Sequence, residues 1–367
     1  MSRLYVLMLA GLLTCPAMAQ QPNTDASPEP IAADREASLL SDIRQLTFGD
    51  RFDRAGEAYF HPKNGSIIFQ AVPKGEKHYQ MYVLADPLLM GSEAGEARIE
   101  QISATPSRNT CGWFSPDGNT ILFASTFQKE IADEPTAGYQ REGRDYRWAY
   151  PSGMELWTRE PIDGKGNENQ GGFAVRTLTD NAFYDAEGSF SPDGKHIVFT
   201  SNRTGDLELF SMKRDGTSVV QLTTTPGYDG GPFFSPDGKR VCYRSDRMGN
   251  NLLQVFVSDV VFDDDGEITG LANEMQLTEG ADVNWGPFWH PTGKWIAWAT
   301  SKHGHANYEI YIMRDDGSDK TRVTYAAGAD VLPAFSPDGK HMLWSGKRSG
   351  DNTTQVYVAK FKLPDER

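Results

Sequence analysis

Four copies of one turn constrain this chain more than any other feature. Phe114-Ser-Pro-Asp-Gly118, Phe190-Ser-Pro-Asp-Gly194, Phe234-Ser-Pro-Asp-Gly238 and Phe335-Ser-Pro-Asp-Gly339 are joined by two degenerate copies, Phe60-His-Pro-Lys-Asn-Gly65 and Trp289-His-Pro-Thr-Gly293. The six anchoring prolines, 62, 116, 192, 236, 291 and 337, stand 44 to 76 residues apart. A turn that recurs at this period marks a repeat architecture, because each unit is one supersecondary element that must stack on its neighbours to bury its apolar face.

The residues around each turn follow one grammar. An aromatic residue ends a first strand, and Ser-Pro-Asp-Gly then reverses the chain: Pro pre-sets φ, Asp bonds locally and Gly tolerates positive φ. A second strand follows with alternating apolar residues, as in His196 to Thr200, Arg240 to Tyr243 and Trp295 to Trp298. A polar hairpin such as Ser201 to Asp206 leads to a third strand such as Leu207 to Met212, and a second turn leads to a fourth strand ending in Leu-Thr, as at Gln221 to Thr223. Six units of four antiparallel strands predict an all-β fold, a six-bladed β-propeller. The last unit ends near Tyr357 to Lys360 without a fourth strand, while Ile43-Arg-Gln-Leu-Thr47 stands unclaimed at the start. The N-terminal strand is therefore expected to complete the last blade and close the ring, removing an exposed sheet edge.

From about Ile43 to Phe361 the pattern Leu-Thr, Phe-Ser-Pro-Asp-Gly, Ser-x-Arg-x-Gly, Asp-Gly, Leu-Thr resembles the WD-like repeats of the TolB-type six-bladed β-propellers. That resemblance implies the fold. Its functional range is wide, since the family includes periplasmic scaffolds, substrate-gating modules of peptidases and sugar-acid lyases. TolB itself carries an N-terminal α/β domain through which it engages its Tol partners. Here about 23 residues separate the expected cleavage site from the first strand, so the resemblance is to the propeller of a Tol-Pal-like protein, without that domain.

The flanking segments read differently. Arg3, the apolar run Leu4 to Leu13 and Ala17-Met18-Ala19 have the order of a secretory signal peptide, expected to end at residue 19. The apolar run is about half of what a membrane-spanning helix requires. The expected location is therefore periplasmic or secreted, with no transmembrane segment; an alternative makes Cys15 a lipid-anchored N-terminus. Residues 20–42 read as a flexible leader and 43–362 as the propeller. Cys111 and Cys242 fall on non-adjacent units and are expected to be unpaired. The formal charge of −14 over 367 residues excludes nucleic acid as a partner, because phosphate neutralisation needs a basic face.

Two rings of residues are legible from the repeat register. Seven positions before each anchoring Pro stand Ala55, Asn109, Asp185, Asp229, Asn284 and Asp330, at one end of the channel-lining strands, with Arg54, Arg108, Glu187, Tyr228 and Trp285 nearby. Asx residues here either cap the turn into each first strand or form a polar or cation-binding channel mouth, whose converging oxygens would suit Ca²⁺ or Mg²⁺. Eleven positions after the Pro stand Arg203, Arg247, Lys302 and Arg348, read as structural salt bridges or as the rim of an anion site.

Two further features lie on this face. The second unit's hairpin expands to a lid-like insertion, 127–153, carrying Tyr139, Arg141, Arg144, Tyr146, Arg147, Trp148 and Tyr150, a basic and aromatic segment suited to recognition or to local plugging. The fifth unit's hairpin carries His303-Gly-His305, a solvated loop or, with His78, a metal candidate. The acidic loop Asp263 to Glu267 is expected on the opposite face, in solvent.

No Gly-x-Ser-x-Gly, His-Glu-x-x-His, phosphate-binding loop or Cys-x-x-Cys occurs. The reading is thus an exported, non-catalytic monomer that binds a protein or cell-envelope component through the channel-mouth face and needs no cofactor. Two alternatives remain, a lyase of the oligogalacturonate type assisted by Mn²⁺ or Ca²⁺, and a small-ligand sensor using the channel.

Overall fold

A computed structural model of the chain describes residues 30–85, 98–129, 138–142, 145–161 and 173–364. The signal peptide, Cys15 and the leader up to residue 29 lie outside them, as does Arg144. The strands form six four-stranded antiparallel sheets in the sequence order of the repeats, together with a two-stranded hairpin, Gly138–Glu142 with Asp145–Ala149, inside the second-blade insertion. First strands run Phe52–Phe60, Asn109–Phe114, Asp185–Phe190, Asp229–Phe234, Asn284–Trp289 and Asp330–Phe335. The sixth sheet is completed by Leu40–Gln45, paired antiparallel to Gln355–Phe361.

The repeated turn is held by its own side chains. In each intact copy the Ser hydroxyl donates to the Asp carboxylate at 2.5 to 2.6 Å, and that carboxylate accepts the amide two residues on. The Ser oxygen also accepts the amide five residues on, at 2.9 to 3.0 Å, which starts the second strand. The Gly takes φ of +71° to +78°, where a side chain would be strained. In the degenerate copies His replaces Ser. His61 Nδ1 accepts the amides of Lys63 and Asn64, which leaves Nε2–H to donate to the Gly118 carbonyl of the next blade at 3.1 Å. His290 reaches Gly339 in the same way.

The Leu-Thr ending has a matching purpose. The hydroxyl of Thr223, Thr278 and Thr324 accepts the amide of the third strand's second residue, Leu209, Val255 and Ile310, at 2.8 Å each. Ser103 and Thr179 do so for Met81 and Leu156, and Thr47 does so for Val356 across the chain ends. Blades are tied to one another by backbone. The amide seven positions before the Pro donates to a third-strand-side carbonyl of the preceding blade in all six cases, from Ala55 to Thr354 at 2.8 Å through Asp330 to Tyr308 at 2.8 Å. The Ala55 bond joins the last blade to the first, so the ring is closed covalently nowhere and by hydrogen bonds at the seam.

The N-terminal boundary differs from the sequence reading. Residues 30–37 form an α-helix rather than flexible leader, and the closing strand begins at Leu40, three residues before Ile43. Pro30 is suited to a first helical turn. Leu39 and Leu40 are each 2% exposed against Phe361 and Leu363, and Glu36 binds Arg348, so apolar burial and an ion pair draw the segment onto the sixth blade.

Candidate functional site

Every first strand carries the same irregularity. The pairing with the second strand slips between the sixth and third positions before the Pro in all six blades. The bulged residue, five before the Pro, has left-handed φ throughout: Glu57, Cys111, Glu187, Gly231, Gly286 and Leu332, at +48° to +61°. For four side-chain-bearing residues this conformation is costly, and such strain persists where surrounding structure over-determines it. All six line one small cavity on the propeller axis.

One end of the cavity is closed by aromatic rings. Three positions before the Pro stand Tyr59, Trp113, Phe233 and Phe288 on the first, second, fourth and fifth blades, with Ser189 and Ala334 on the third and sixth. Rings from opposing blades touch across the axis, Tyr59 to Phe233 at 5.5 Å and Trp113 to Phe288 at 6.0 Å between centroids, and the adjacent pairs lie 4.8 to 5.8 Å apart. Four large and two small residues fill the axis as a plug. The cavity therefore opens away from the Ser-Pro-Asp-Gly turns, toward the face that bears the second-blade hairpin.

Among the described residues the charged lining consists of Glu57, Glu187 and Arg244. Glu187 accepts from Arg244 at 2.5 Å, Tyr228 OH at 2.8 Å, Gly231 N at 2.7 Å and Thr200 at 2.9 Å, which satisfies a buried carboxylate. Gly231 is required at its position, since a Cβ there would collide with the Arg244 guanidinium. Glu57 stands differently. Burial pushes its carboxyl up to about 7, with hydrogen bonds from Cys111 and Tyr59 working the other way and the Glu187 charge adding to the rise. Burial likewise pushes the Cys111 thiol and the Tyr59 and Tyr228 phenols well up.

The structure redistributes the residues singled out in the sequence. Asn109, Asp185, Asp229, Asn284 and Asp330 are 0 to 5% exposed and bond inside the blades rather than at an open mouth, although the Asn109 Oδ1 has no hydrogen-bond partner among the described residues. Asp185, Asp229 and Asp330 each bind the Arg eighteen residues on: Arg203 at 2.9 Å, Arg247 at 3.1 Å and Arg348 at 2.6 Å. Asn284 accepts from Trp298 Nε1 and donates to Gln254, and Asn109 donates to Gln80 and Ser107. The acidic and basic rings are thus two halves of one ion pair repeated in the third, fourth and sixth blades.

Of the neighbours, Glu187 and Tyr228 do reach the cavity cluster, and Trp285 lies 5.9 Å from the Arg244 guanidinium. Arg108 is buried, its amide bonded to Thr126 Oγ1. The insertion side chains of Tyr146, Arg147 and Trp148 lie outside the described residues, whereas Tyr150 is 40% exposed and packs on Tyr184 at 5.3 Å.

His303 and His305 diverge, His303 bonding and stacking on Tyr311 and His305 packing on Tyr308. Among the described residues no group of three or more His, Cys, Asp or Glu is placed to hold a metal ion. Glu267, expected in solvent, bridges Lys213 at 2.9 Å and His196 at 3.3 Å. Cys111 and Cys242 are both buried free thiols.

Sequence reasoning passed over Glu57, Cys111, Arg244 and the aromatic plug. The aromatic column was readable in the same alignment as the Asx column. The bulge was not, because only Gly231 and Gly286 advertise positive φ.

A closed six-bladed ring whose blades share this turn and clasp defines the class of WD-like propellers. The sequence profile of the TolB beta propeller domain matches residues 174–275 and 267–364, and the chain belongs to that family. Among solved structures, a TolB from Agrobacterium tumefaciens is 17% identical with a TM-score of 0.52, the match covering 84% of this chain and 91% of that one. TolB from Acinetobacter baumannii is 18% identical with a TM-score of 0.52, and the match covers 84% of this chain but 64% of that longer one. Oligogalacturonate lyase from Vibrio parahaemolyticus is 12% identical with a TM-score of 0.47, over 90% of this chain and 96% of that one. No curated protein matches the sequence.

Proposed function

We propose that this chain is an exported, non-catalytic propeller that binds a protein or cell-envelope component through the face bearing the second-blade hairpin. The observation that carries this reading is the asymmetry of the axis. An aromatic plug seals the turn side, while the opposite side is a cup beside a hairpin insertion that no other blade carries among the described residues. Loops raised on a rigid scaffold are where such folds place recognition. The signal-peptide pattern of residues 1–19 supports a periplasmic or secreted location, and no helix of the described residues is long and apolar enough to cross a membrane.

The test is capture from envelope extract with the mature chain and with a variant lacking 127–153, after circular dichroism has shown both to be folded. Loss of an identified partner with the deletion supports the reading; retention of every partner overturns it. The lyase alternative predicts stoichiometric Mn²⁺ or Ca²⁺ in purified protein that is lost in His303→Ala.

A further inference from the structure

We infer that the two seams flanking the third blade are each closed by a proton shared between carboxyls, Glu155 with Asp185 and Glu208 with Asp229, and that the blade loosens when those protons are lost. The repeat register shows why a proton belongs there. At every seam the amide seven positions before the Pro donates to the carbonyl just before a buried Glu or Gln, the residue that opens the preceding blade's third strand. Amide meets amide at two seams, where Asn109 Nδ2 donates to Gln80 Oε1 and Asn284 Nδ2 to Gln254 Oε1, both at 2.9 Å. At the closing seam Ala55 holds the Asx place, and Gln355 Oε1 has no hydrogen-bond partner among the described residues. At the remaining three seams acid meets acid, and two carboxylates have no hydrogen to put where the Asn donor stands. The shortage is visible at both seams of the third blade. Glu155 Oε2 is buried without a hydrogen-bond partner. Thr223, whose single hydroxyl hydrogen goes to Glu208 at 2.5 Å, borders Asp229 as well. One proton on each Glu supplies the missing donor, and two carboxyls in one site titrate as a pair with one of them strongly raised.

The surroundings place the proton on the Glu. Each Asp is held by a guanidinium, Asp185 by Arg203 at 2.9 Å and Asp229 by Arg247 at 3.1 Å, which keeps it ionised. Facing Glu155 are Asp185, Thr179, the Asn181 amide and Lys129, which stands 3.5 Å away and is shared with Asp180 at 2.8 Å. Facing Glu208 are Asp229, Asp206, Thr223 and Arg247, the last engaged by Asp229 and Glu274. The third acid seam, Glu309 with Asp330, is different in kind, since Arg322 stands 2.6 Å from Glu309 and gives each carboxyl its own guanidinium. Burial, with the Asp charge adding to it, pushes Glu208 up to about 7 and raises Glu155 as well. A carboxyl raised in the folded state stabilises below its unfolded value, and that contribution is lost as pH rises through the folded one. The third blade, 185–223, is thus held fast in acid and loosens above neutrality.

Hydrogen exchange of the mature chain, followed by NMR and expressed relative to the free-peptide rate at each pH, reads the seams one by one. Between about pH 5.5 and about pH 8.5 the seam amides of Asp185 and Asp229 are expected to lose at least about tenfold in protection, the effect of one pKa unit of linkage, while those of Asn109 and Asn284 change by less than about twofold. In Glu208→Gln the side-chain amide supplies a donor at every pH, so the Asp229 response is expected to flatten and the Asp185 response to persist. A fall of equal size at all four amides, no fall at Asp185 and Asp229, or an unchanged Asp229 response in a folded Glu208→Gln each overturns the inference. Should the variant fail to fold, the comparison among the four amides of the unaltered protein still decides. The outcome is independent of envelope-partner capture.

Discussion

The hydroxyl of Thr47 accepts the backbone amide of Val356 at 2.9 Å, 309 residues away in the chain. The same contact is local in the third, fourth and fifth blades, where Thr and donor amide are 14 to 23 residues apart. One repeated clasp thus serves both to finish a blade and to fasten the ends of the protein. Thr47→Val leaves a buried amide without its acceptor and is expected to cost about 1–3 kcal/mol. Deleting residues 40–48 removes the whole strand and should lower the melting temperature far more than deleting 20–29. Equal melting temperatures for the two deletions, read by circular dichroism, would refute closure by this strand.

The Asp330–Arg348 pair is buried on both sides and carries a third member, Glu36, at 2.6 Å from the same guanidinium. Arg348→Ala should destabilise by about 3–5 kcal/mol, because it strands a buried carboxylate that burial already pushes toward the neutral form. Glu36→Gln removes only the helix contact and should cost about 1 kcal/mol. Urea denaturation of both single variants and of Arg348→Ala with Asp330→Asn measures this; the double variant should recover part of the loss.

Stability should depend on pH through the cavity. Glu57 has its folded value raised to about 7 from an ordinary 4.5, so its contribution is fully present below about pH 4.5 and is lost as pH rises through about 7. Burial raises Glu208 and Glu309 to about 7 as well. The melting temperature is therefore expected to fall between about pH 5 and pH 8, and Glu57→Gln to flatten that fall without abolishing it. Superimposable pH profiles for the two proteins would count against a buried, neutral Glu57.

The axial plug should behave as a core. Phe288→Ala removes a ring that contacts three others across the axis and is expected to cost about 3–4 kcal/mol. Gly112→Ala, one residue before Trp113, sets a Cβ 2.4 Å from Met81 Cε and 2.6 Å from Ile68 Cδ1, and overpacking of that kind costs about 1–3 kcal/mol. Thermal denaturation checks both; a melting temperature unchanged in either variant would show that blade packing there is looser than described.

What the sequence determined by itself was the ring. Ser-Pro-Asp-Gly and Leu-Thr act through bonds between residues close in the chain, so their repetition declared six four-stranded blades, and the lack of a fourth strand after Tyr357 to Lys360 declared the closure. The family followed from the same residues. The direction of side chains was decided only by tertiary structure. The repeat register projected Asp185, Asp229 and Asp330 toward the channel mouth. They turn inward instead, and Arg203, Arg247 and Arg348 satisfy the buried carboxylates. A bulge two residues further on carried Glu57, Cys111 and Glu187 to the axis instead. Neither outcome is written in any single repeat, because each depends on which groups the neighbouring strand and the opposing blade bring within a few ångströms.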